Sequence, residues 1–516
     1  MKYVSVDEMR LIERQADAAG LSYTQMMENA GHGLAQEVAR RYSQYSEFGQ
    51  ISIAGGLIGS GNNGGDALVA LTYLAEKNWS VSACLIRQRP EDDPLVERFI
   101  DAGGKLVTTE GLSAWLHTLV NDAVLLDGIL GTGIHLPLSP ELASTLVQIK
   151  DVLNQMPRPP HMVAVDCPSG VDCDTGYAAQ ECIPAELTVT MAAIKQGLLK
   201  FPAYSLVGDL SLVSIGPVDG LPAWQSLERV VVDRDLVQTI VPLRPLDAHK
   251  GTFGTTLIVA GSVNYTGAAL LAGKAAYRSG AGWVTMAVPE PLHAVLAGHF
   301  PEAPWLPLPH ERGFIAGHAA EVIRQNIGKS TALLLGPGFG LEESTGKFLV
   351  DLLSPTLPPM VIYADGLKLL AKIPDWPTHL PALTVLTPHP GEMSVMCGLS
   401  LDEIQADRMG IAERFAKEWG HVVILKGAFT VVASPAGKAA VIPIATPALA
   451  RAGTGDVLAG LVSGFRAQGV GAYEAATACA WIHAQAGLKA AKKLGSTASV
   501  LAGDVLEAVI DVMGDL

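Results

Sequence analysis

Short apolar runs alternate along the chain with longer segments whose apolar residues recur at helical spacing. The first 45 residues read as helical: Ser5 with Glu8 makes a capping box, and Tyr23, Met26, Met27, Ala30 and Leu34 mark a second helix. Glu28-Asn29-Ala30-Gly31 on that helix predicts a solvent-facing polar patch. A strand over 50–56 then runs into Gly59-Ser60-Gly61-Asn62-Asn63-Gly64-Gly65-Asp66, with a helix expected over 67–76. Further strands are predicted over 81–86, 123–127, 162–166, 187–191 and 210–215. Pro217, Pro222, Pro242 and Pro245 with interspersed charges predict a linker over 216–250, carrying a docking strand and helix, with the boundary near 216–228. Beyond it, strands are expected over 255–262, 283–288, 332–335, 361–365, 383–386 and 422–425, with a helix over 265–276. This alternation predicts an α/β protein of two layered domains, residues 1–220 and 228–513, with mainly parallel sheets.

Composition narrows the classes. The 516 residues are 49% hydrophobic and 17% charged, enough for two or three full cores and too apolar for a disordered chain. A net charge of −15 leaves no basic footprint for nucleic acid or for an anionic membrane. An anionic substrate therefore needs local anion holes. Six cysteines without framework spacing point to a reducing compartment. Cys167, Cys173 and Cys182 fit no zinc pattern. Charges at Asp7, Glu8, Arg10, Glu13 and Arg14 interrupt any leader-like run, and the uncharged stretch 251–273 is broken by Gly, Thr, Ser and Asn. A cytoplasmic protein is the expectation.

The chemistry gathers at strand ends. Three runs in the first half finish in polar, Gly-rich turns: 59–66, Asp127 before Gly128-Ile129-Leu130-Gly131-Thr132-Gly133, and Asp166 before Cys167-Pro168-Ser169-Gly170. Ligands of open α/β sheets bind at such ends. The adjacent amides Asn62 and Asn63 add side-chain oxygens that suit a hard cation or ribose hydroxyls. In the second half the strand ends carry Gly336-Pro337-Gly338, Asp365, His389, Lys426 and Gly453-Thr454-Gly455-Asp456. Gly453 and Gly455 let a phosphate approach backbone donors at a helix start. A carboxylate beside that phosphate has one natural task, taking a proton from a nearby hydroxyl.

Asn62-Asn63-Gly64-Gly65-Asp66, Asp127 with its Gly-Thr-Gly turn, and Asp166-Cys167-Pro168-Ser169-Gly170 with Asp174-Thr175-Gly176 resemble the NAD(P)H-hydrate epimerase domain over about the first 215 residues. His249-Lys250-Gly251, Gly336-Pro337-Gly338, Thr387-Pro388-His389-Pro390-Gly391-Glu392 and Ala452-Gly453-Thr454-Gly455-Asp456 resemble the ADP-dependent NAD(P)H-hydrate dehydratase domain, of the ribokinase-like superfamily, over about 228–513. The resemblance implies a Rossmann-like three-layer domain followed by a ribokinase-like three-layer domain. In the first, it implies that Asn62, Asn63, Gly64, Gly65 and Asp66 bind the hydrated cofactor and that Gly131, Thr132, Gly133, Ile134, His135, Leu136 and Pro137 bind its phosphates. Asp166 would be the catalytic acid/base, and Asn63, Asp127 and Ser169 would hold K⁺. In the second, Ala268, Gly338, His389 and the base Asp456 would face the hydrated cofactor. Lys426, Gly427, Ala428, Phe429, Thr430 and Gly455 would hold ADP, with Mg²⁺. Hydrated NADH and NADPH are the implied substrates, one epimer being dehydrated and both interconverted. A homo-oligomer, with a tetramer as one form, is expected. The chain departs from the family pattern at Ser60, Ala67, 445–448 and 363–368. A vitamin or sugar kinase with an N-terminal ligand-binding module is the alternative reading.

Overall fold

The computed structural model describes residues 1–43, 52–120 and 122–516, and the chain divides into two compact units, Met1–Leu227 and Glu228–Leu516. The last residues of the expected helical region and the first of the strand that follows, Gln50 and Ile51, lie outside the described residues.

In unit 1 the capping box forms as the sequence predicts. Ser5 Oγ accepts from Glu8 N at 3.2 Å, and Glu8 Oε2 accepts from Ser5 N at 2.7 Å, starting α1 (Val6–Ala18). In α2 (Tyr23–Tyr42) the buried Met26, Ala30, Leu34 and Val38 repeat at helical spacing and form one face. Asn29 does not serve solvent: its Nδ2 donates to Ile215 O at 2.9 Å and ties α2 to the far end of the unit. The sheet comprises β1 (Ile53–Ile58), β2 (Ser80–Leu85), β3 (Lys105–Val107), β4 (Val124–Gly128), β5 (His161–Val165), β6 (Leu187–Met191) and β7 (Asp209–Val213). The order is 3-2-1-4-5-6-7 and every pairing is parallel. Chain direction across the sheet reverses between β1 and β4, so the crevice at their carboxyl ends is the switch point where such sheets take ligands.

Helix α3 (Asn62–Glu76) starts five residues before the expected position, so 62–66 are its first turn and not a loop. The glycines there serve close packing. A Cβ on Gly64 would lie 2.1 Å from Gly59 O, and one on Gly65 would lie 2.7 Å from Met27 Sδ. Gly64→Ala must push two backbones apart and is expected to cost about 1–3 kcal/mol. Urea unfolding checks this; an unshifted midpoint would show that the turn yields freely.

Unit 2 carries a ten-stranded sheet: β8 (Arg229–Val231), β9 (Thr255–Val259), β10 (Trp283–Pro289), β11 (Trp305–Leu308), β12 (Ala332–Leu335), β13 (Met360–Ile362), β14 (Val385–Leu386), β15 (Val422–Leu425), β16 (Val431–Ala433) and β17 (Ala439–Val441). The order is 8-17-16-15-14-13-12-9-10-11. Only β16 runs antiparallel to its neighbours. The three-residue strands β16 and β17 are too short to register as a hydrophobic period, and β11 is broken by Pro307; none of the three is predicted from sequence. Helices α4 (Thr266–Arg278), α5 (Pro390–Cys397), α6 (Thr454–Ala467) and α7 (Ala472–Leu494) complete what the site needs. Gly460 and Gly464 of α6 lie against α4, where a Cβ would come within 2.2 Å of Ala272 O and 2.0 Å of Ser279 Oγ. Among the described residues no helix is long and apolar enough to cross a membrane.

Candidate active sites

The first site forms where β1, β4 and β5 end. Asp127, the fourth residue of β4, is fully buried. Its Oδ2 accepts from Ser169 N at 2.8 Å and its Oδ1 from Ser169 Oγ at 2.5 Å. Burial pushes its carboxyl up, against those hydrogen bonds, and no cation pairs with it among the described residues. Asn63 spans the two strand ends, its Nδ2 donating to Leu130 O at 3.2 Å and Val165 O at 2.5 Å. Three sequence-predicted residues thus meet in one polar knot under the crevice floor.

Asp166 follows β5 with φ 64°, a left-handed conformation that a non-glycine residue holds only when its surroundings dictate it. Its surroundings do. Asp166 Oδ1 accepts from Thr190 Oγ1 at 2.9 Å, from Met191 N at 3.0 Å and from the Lys195 ammonium. Lys195 is 1% exposed and also donates to Met191 O at 2.8 Å. A parallel bridge, Val4 to Lys195, holds it and draws the N-terminal segment to the site. A cavity of about 500 Å³ opens above, with Asn62, Asn63, Asp66, Gly131, Thr132, Gly133, Ile134, Asp166 and Lys195 in its wall. Gly64 and Gly65 stand behind this wall as packing residues. Leu136 and Pro137 line a separate cavity with Ala178 and Ala179, and His135 lines neither.

Sequence reasoning missed Lys195, Arg10, Glu13 and Arg87, all in the wall. Lys195 had a signal: it is the lone charge in the stretch 187–199. Burial raises the Glu13 carboxyl, Lys195 opposing.

The second site surrounds the start of α6. Gly453 caps this helix at φ 91°, and Thr454 Oγ1 donates to Leu449 O and Arg451 O, each at 2.9 Å, which fixes the turn. Asp456 is 8% exposed. Burial pushes its carboxyl up to about 7, Lys426 pulling the other way. Lys426, just past β15, lies 3.4 Å from Glu392 Oε2 and 4.3 Å from the centre of the Tyr363 ring. Burial lowers its ammonium, while Glu392 and Asp456 resist. Tyr363 belongs to the segment that departs from the family pattern. Its ring floors Lys426, and its hydroxyl is so close to the helix start that a Cβ on Gly455 would come within 2.5 Å. Lys368, in the same segment, pairs with Asp365 at 3.1 Å.

His389 caps α5: its Nδ1 accepts from Gly391 N at 3.0 Å and Glu392 N at 3.2 Å. The hydrogen of the neutral ring is therefore on Nε2, 3.4 Å from Glu392 Oε1. Burial keeps the ring neutral, and Lys426 and Lys368 add to this against Glu392.

A cavity of about 450 Å³ is walled by His389, Lys426, Gly427, Ala428, Thr430 and Gly455 on its polar side and by Ile442, Ile444, Leu458 and Ala480 on its apolar side. Phe429 points its backbone N–H to Ile444 O at 3.1 Å and is not in the wall. Asp456, Ala268 and Gly338 also lie outside that wall. The last two adjoin each other, since a Cβ on Gly338 would sit 3.0 Å from Ala268 Cβ. Sequence reasoning missed His483 of α7, which lines the cavity and whose Nε2 has no hydrogen-bond partner among the described residues. An Ala-rich helix gave no sign of it.

Residues 23–197 match a family model described as YjeF-related protein N-terminus, and residues 256–510 match one described as NAD(P)H-hydrate dehydratase. The bifunctional NAD(P)H-hydrate repair enzyme Nnr of Moorella thermoacetica is 35% identical over 533 residues, covering 100% of this chain and 97% of that protein. The enzyme of the same description from Escherichia coli is 32% identical over 510 residues, covering 97% and 91%. A crystal structure of ADP/ATP-dependent NAD(P)H-hydrate dehydratase from Bacillus subtilis, crystallised with ATP and Mg²⁺, is 28% identical with a TM-score of 0.48 and covers 55% of this chain and 98% of that one.

Proposed function

The chain belongs to the bifunctional NAD(P)H-hydrate repair enzymes, and from that premise we propose how its two cavities divide the work. Unit 1 is the epimerase and unit 2 the dehydratase. The substrate is a reduced nicotinamide cofactor with water added across C5–C6 of its ring, so that C6 carries a hydroxyl.

Hydroxide is a poor leaving group, and phosphorylation cures this. In unit 2 ADP takes the cavity of Lys426, Gly427, Ala428, Thr430 and Gly455, with Phe429 supporting the loop from behind. The hydrated ring meets Asp456 from the side of Ala268, Gly338 and His389. Asp456 removes the C6 hydroxyl proton as the oxygen attacks the terminal phosphorus of ADP, and AMP leaves. Backbone donors of Gly453-Thr454-Gly455 stabilise the charge on the transferring group. The C6–O bond then breaks, phosphate departs, a proton leaves C5, and the C5–C6 double bond is restored on the S epimer. One observation carries this reading: Asp456 is a buried carboxylate at a glycine-rich helix start, within the field of Lys426 and with its pKa near 7. No group of three or more His, Cys, Asp or Glu suited to a metal occurs among the described residues. Mg²⁺ would enter with the nucleotide and supply, beside Lys426, positive charge to neutralise its phosphates.

In unit 1 Asp166 moves the proton at C6–OH that allows R and S forms to interchange. Asn62, Asn63 and Asp66 bind the hydrated ring side of the cofactor, and Gly131, Thr132, Gly133 and Ile134 its phosphates. The buried, cation-free carboxylate of Asp127, with Ser169 Oγ and the amide of Asn63, fits K⁺, which would lock the three strand ends together.

Incubation of the protein with hydrated NADH tests the reading. Reduced-nicotinamide absorbance should return only when ADP is added, and from both epimers. A stable phosphorylated product without that return would sink it in favour of a small-molecule kinase.

A further inference from the structure

Hydration leaves C6 of the ring bonded to both a hydroxyl and N1, a hemiaminal carbon. Such a carbon inverts by opening: the hydroxyl loses its proton, the C6–N1 bond breaks, and N1 gains a proton. Two proton transfers at two different atoms suit a pair of groups, a base for the oxygen and an acid for the nitrogen.

The first cavity holds two carboxyls in opposite settings. Asp166 Oδ1 takes three donors, one of them the Lys195 ammonium, while its Oδ2 takes none among the described residues. Asp66, in the same wall, is 7% exposed, and its carboxyl has neither a hydrogen bond nor an ion pair among the described residues. A desolvated carboxyl without a partner keeps its proton. Burial raises Asp66 well above the usual carboxylate range; the charges of Asp166 and Glu13 add to this and Lys195 opposes it. Arg10 and Arg87 are the other charged groups of the wall. A carboxyl without a partner, facing one cavity with a carboxylate fixed by three donors, is the arrangement of an acid and a base.

We propose that Asp66 is the catalytic acid that works with Asp166 in epimerisation, an extension that rests on unit 1 being the epimerase. Asp166 takes the C6 hydroxyl proton as the C6–N1 electron pair moves to N1, and Asp66 gives N1 its proton. The product is an open-chain aldehyde at C6 and a secondary enamine at N1. Rotation about C5–C6 presents the other carbonyl face. The ionised Asp66 then removes the N1 proton, N1 attacks C6, and the oxygen regains its proton from Asp166. Each carboxyl ends as it began, and no co-reactant is used.

Asp66→Asn keeps the shape and has no proton to give. With the two epimers separated by chromatography and no ADP present, kcat for interconversion should fall at least about 100-fold with KM little changed. The high-pH limb of kcat/KM, set by loss of the Asp66 proton, should vanish. Wild-type kcat in the variant, an effect on KM alone, or a retained high-pH limb would each overturn the proposal. If the variant does not fold, wild type decides: a rate with no fall at pH values above the ordinary carboxylate range overturns it as well. A wild-type protein that fails to interchange the epimers at all overturns the assignment of unit 1 beneath it, a separate failure seen before any variant is made.

Discussion

Asp456→Asn should lower ADP-dependent dehydration by about 10²–10⁴-fold while the epimers continue to interchange at the wild-type rate. The substitution preserves volume and removes only the ability to take a proton. Asp456 belongs to unit 2, whereas Asp166 and its cavity belong to unit 1. The pH profile makes the result specific. With the carboxyl at about 7, the ionised base is scarce in acid, so wild-type kcat/KM for the hydrate should rise about tenfold per pH unit up to about 7 and then level. The variant should lose that slope. Stability should show the opposite sign. Between 3.8 and about 7 the folded protein holds a proton that the unfolded chain releases, so stability falls as pH rises through that window, and Asp456→Asn should flatten the fall. Coupled assays of absorbance recovery across pH measure the first effect and urea midpoints the second. An acid limb that survives in Asp456→Asn would move the base to another residue.

Lys195→Met should be the most damaging single change in unit 1. Lys195 and Asp166 are both nearly solvent-free, and the pair is one bond in a set that also holds Thr190 Oγ1 and Met191 N. Removing one charge leaves the other buried alone, which costs about 3–5 kcal/mol. Epimerisation should be lost with it, because Asp166 loses its position. The double variant Lys195→Met with Asp166→Asn separates the two effects: stability should recover in large part and activity should not. Thermal unfolding of the four proteins provides the cycle. A single variant as stable as wild type would show that Asp166 finds another partner.

What could be read from the sequence divides along one physical line. Asp127, Asp166 and Asp456 were visible because each stands directly after an apolar run or a glycine turn, and that context is local. Lys195 acts on Asp166 across 29 residues through the bridge to Val4, a pairing of two-residue strands too short to leave a period. Arg10 and Glu13 lie on a helix whose amphipathic pattern explains only its buried face, Val6, Met9, Ile12 and Ala16. Gly64-Gly65 disfavours helix, so the sequence pattern starts α3 only at Ala67. Close approach to Gly59 and Met27 outweighs that local preference. His483 was hidden for the reverse reason: its helix is so apolar that a histidine in it reads as packing. The Tyr363 and Lys368 departures turn out to be built into the second site, one under Lys426 and the other on Asp365.

The pairing of β8 with β17 bears on how the protein can be divided. β8 comes immediately after the unit boundary, inside the proline-containing stretch 216–250, yet it closes the edge of the unit 2 sheet. A dehydratase fragment begun after the prolines, at the conspicuous His249-Lys250-Gly251, would leave β17 as a bare strand edge, a template for pairing with other chains. A fragment begun at Glu228 carries its own cover. The seam that looks like a linker in the sequence is, for solubility, part of the second enzyme.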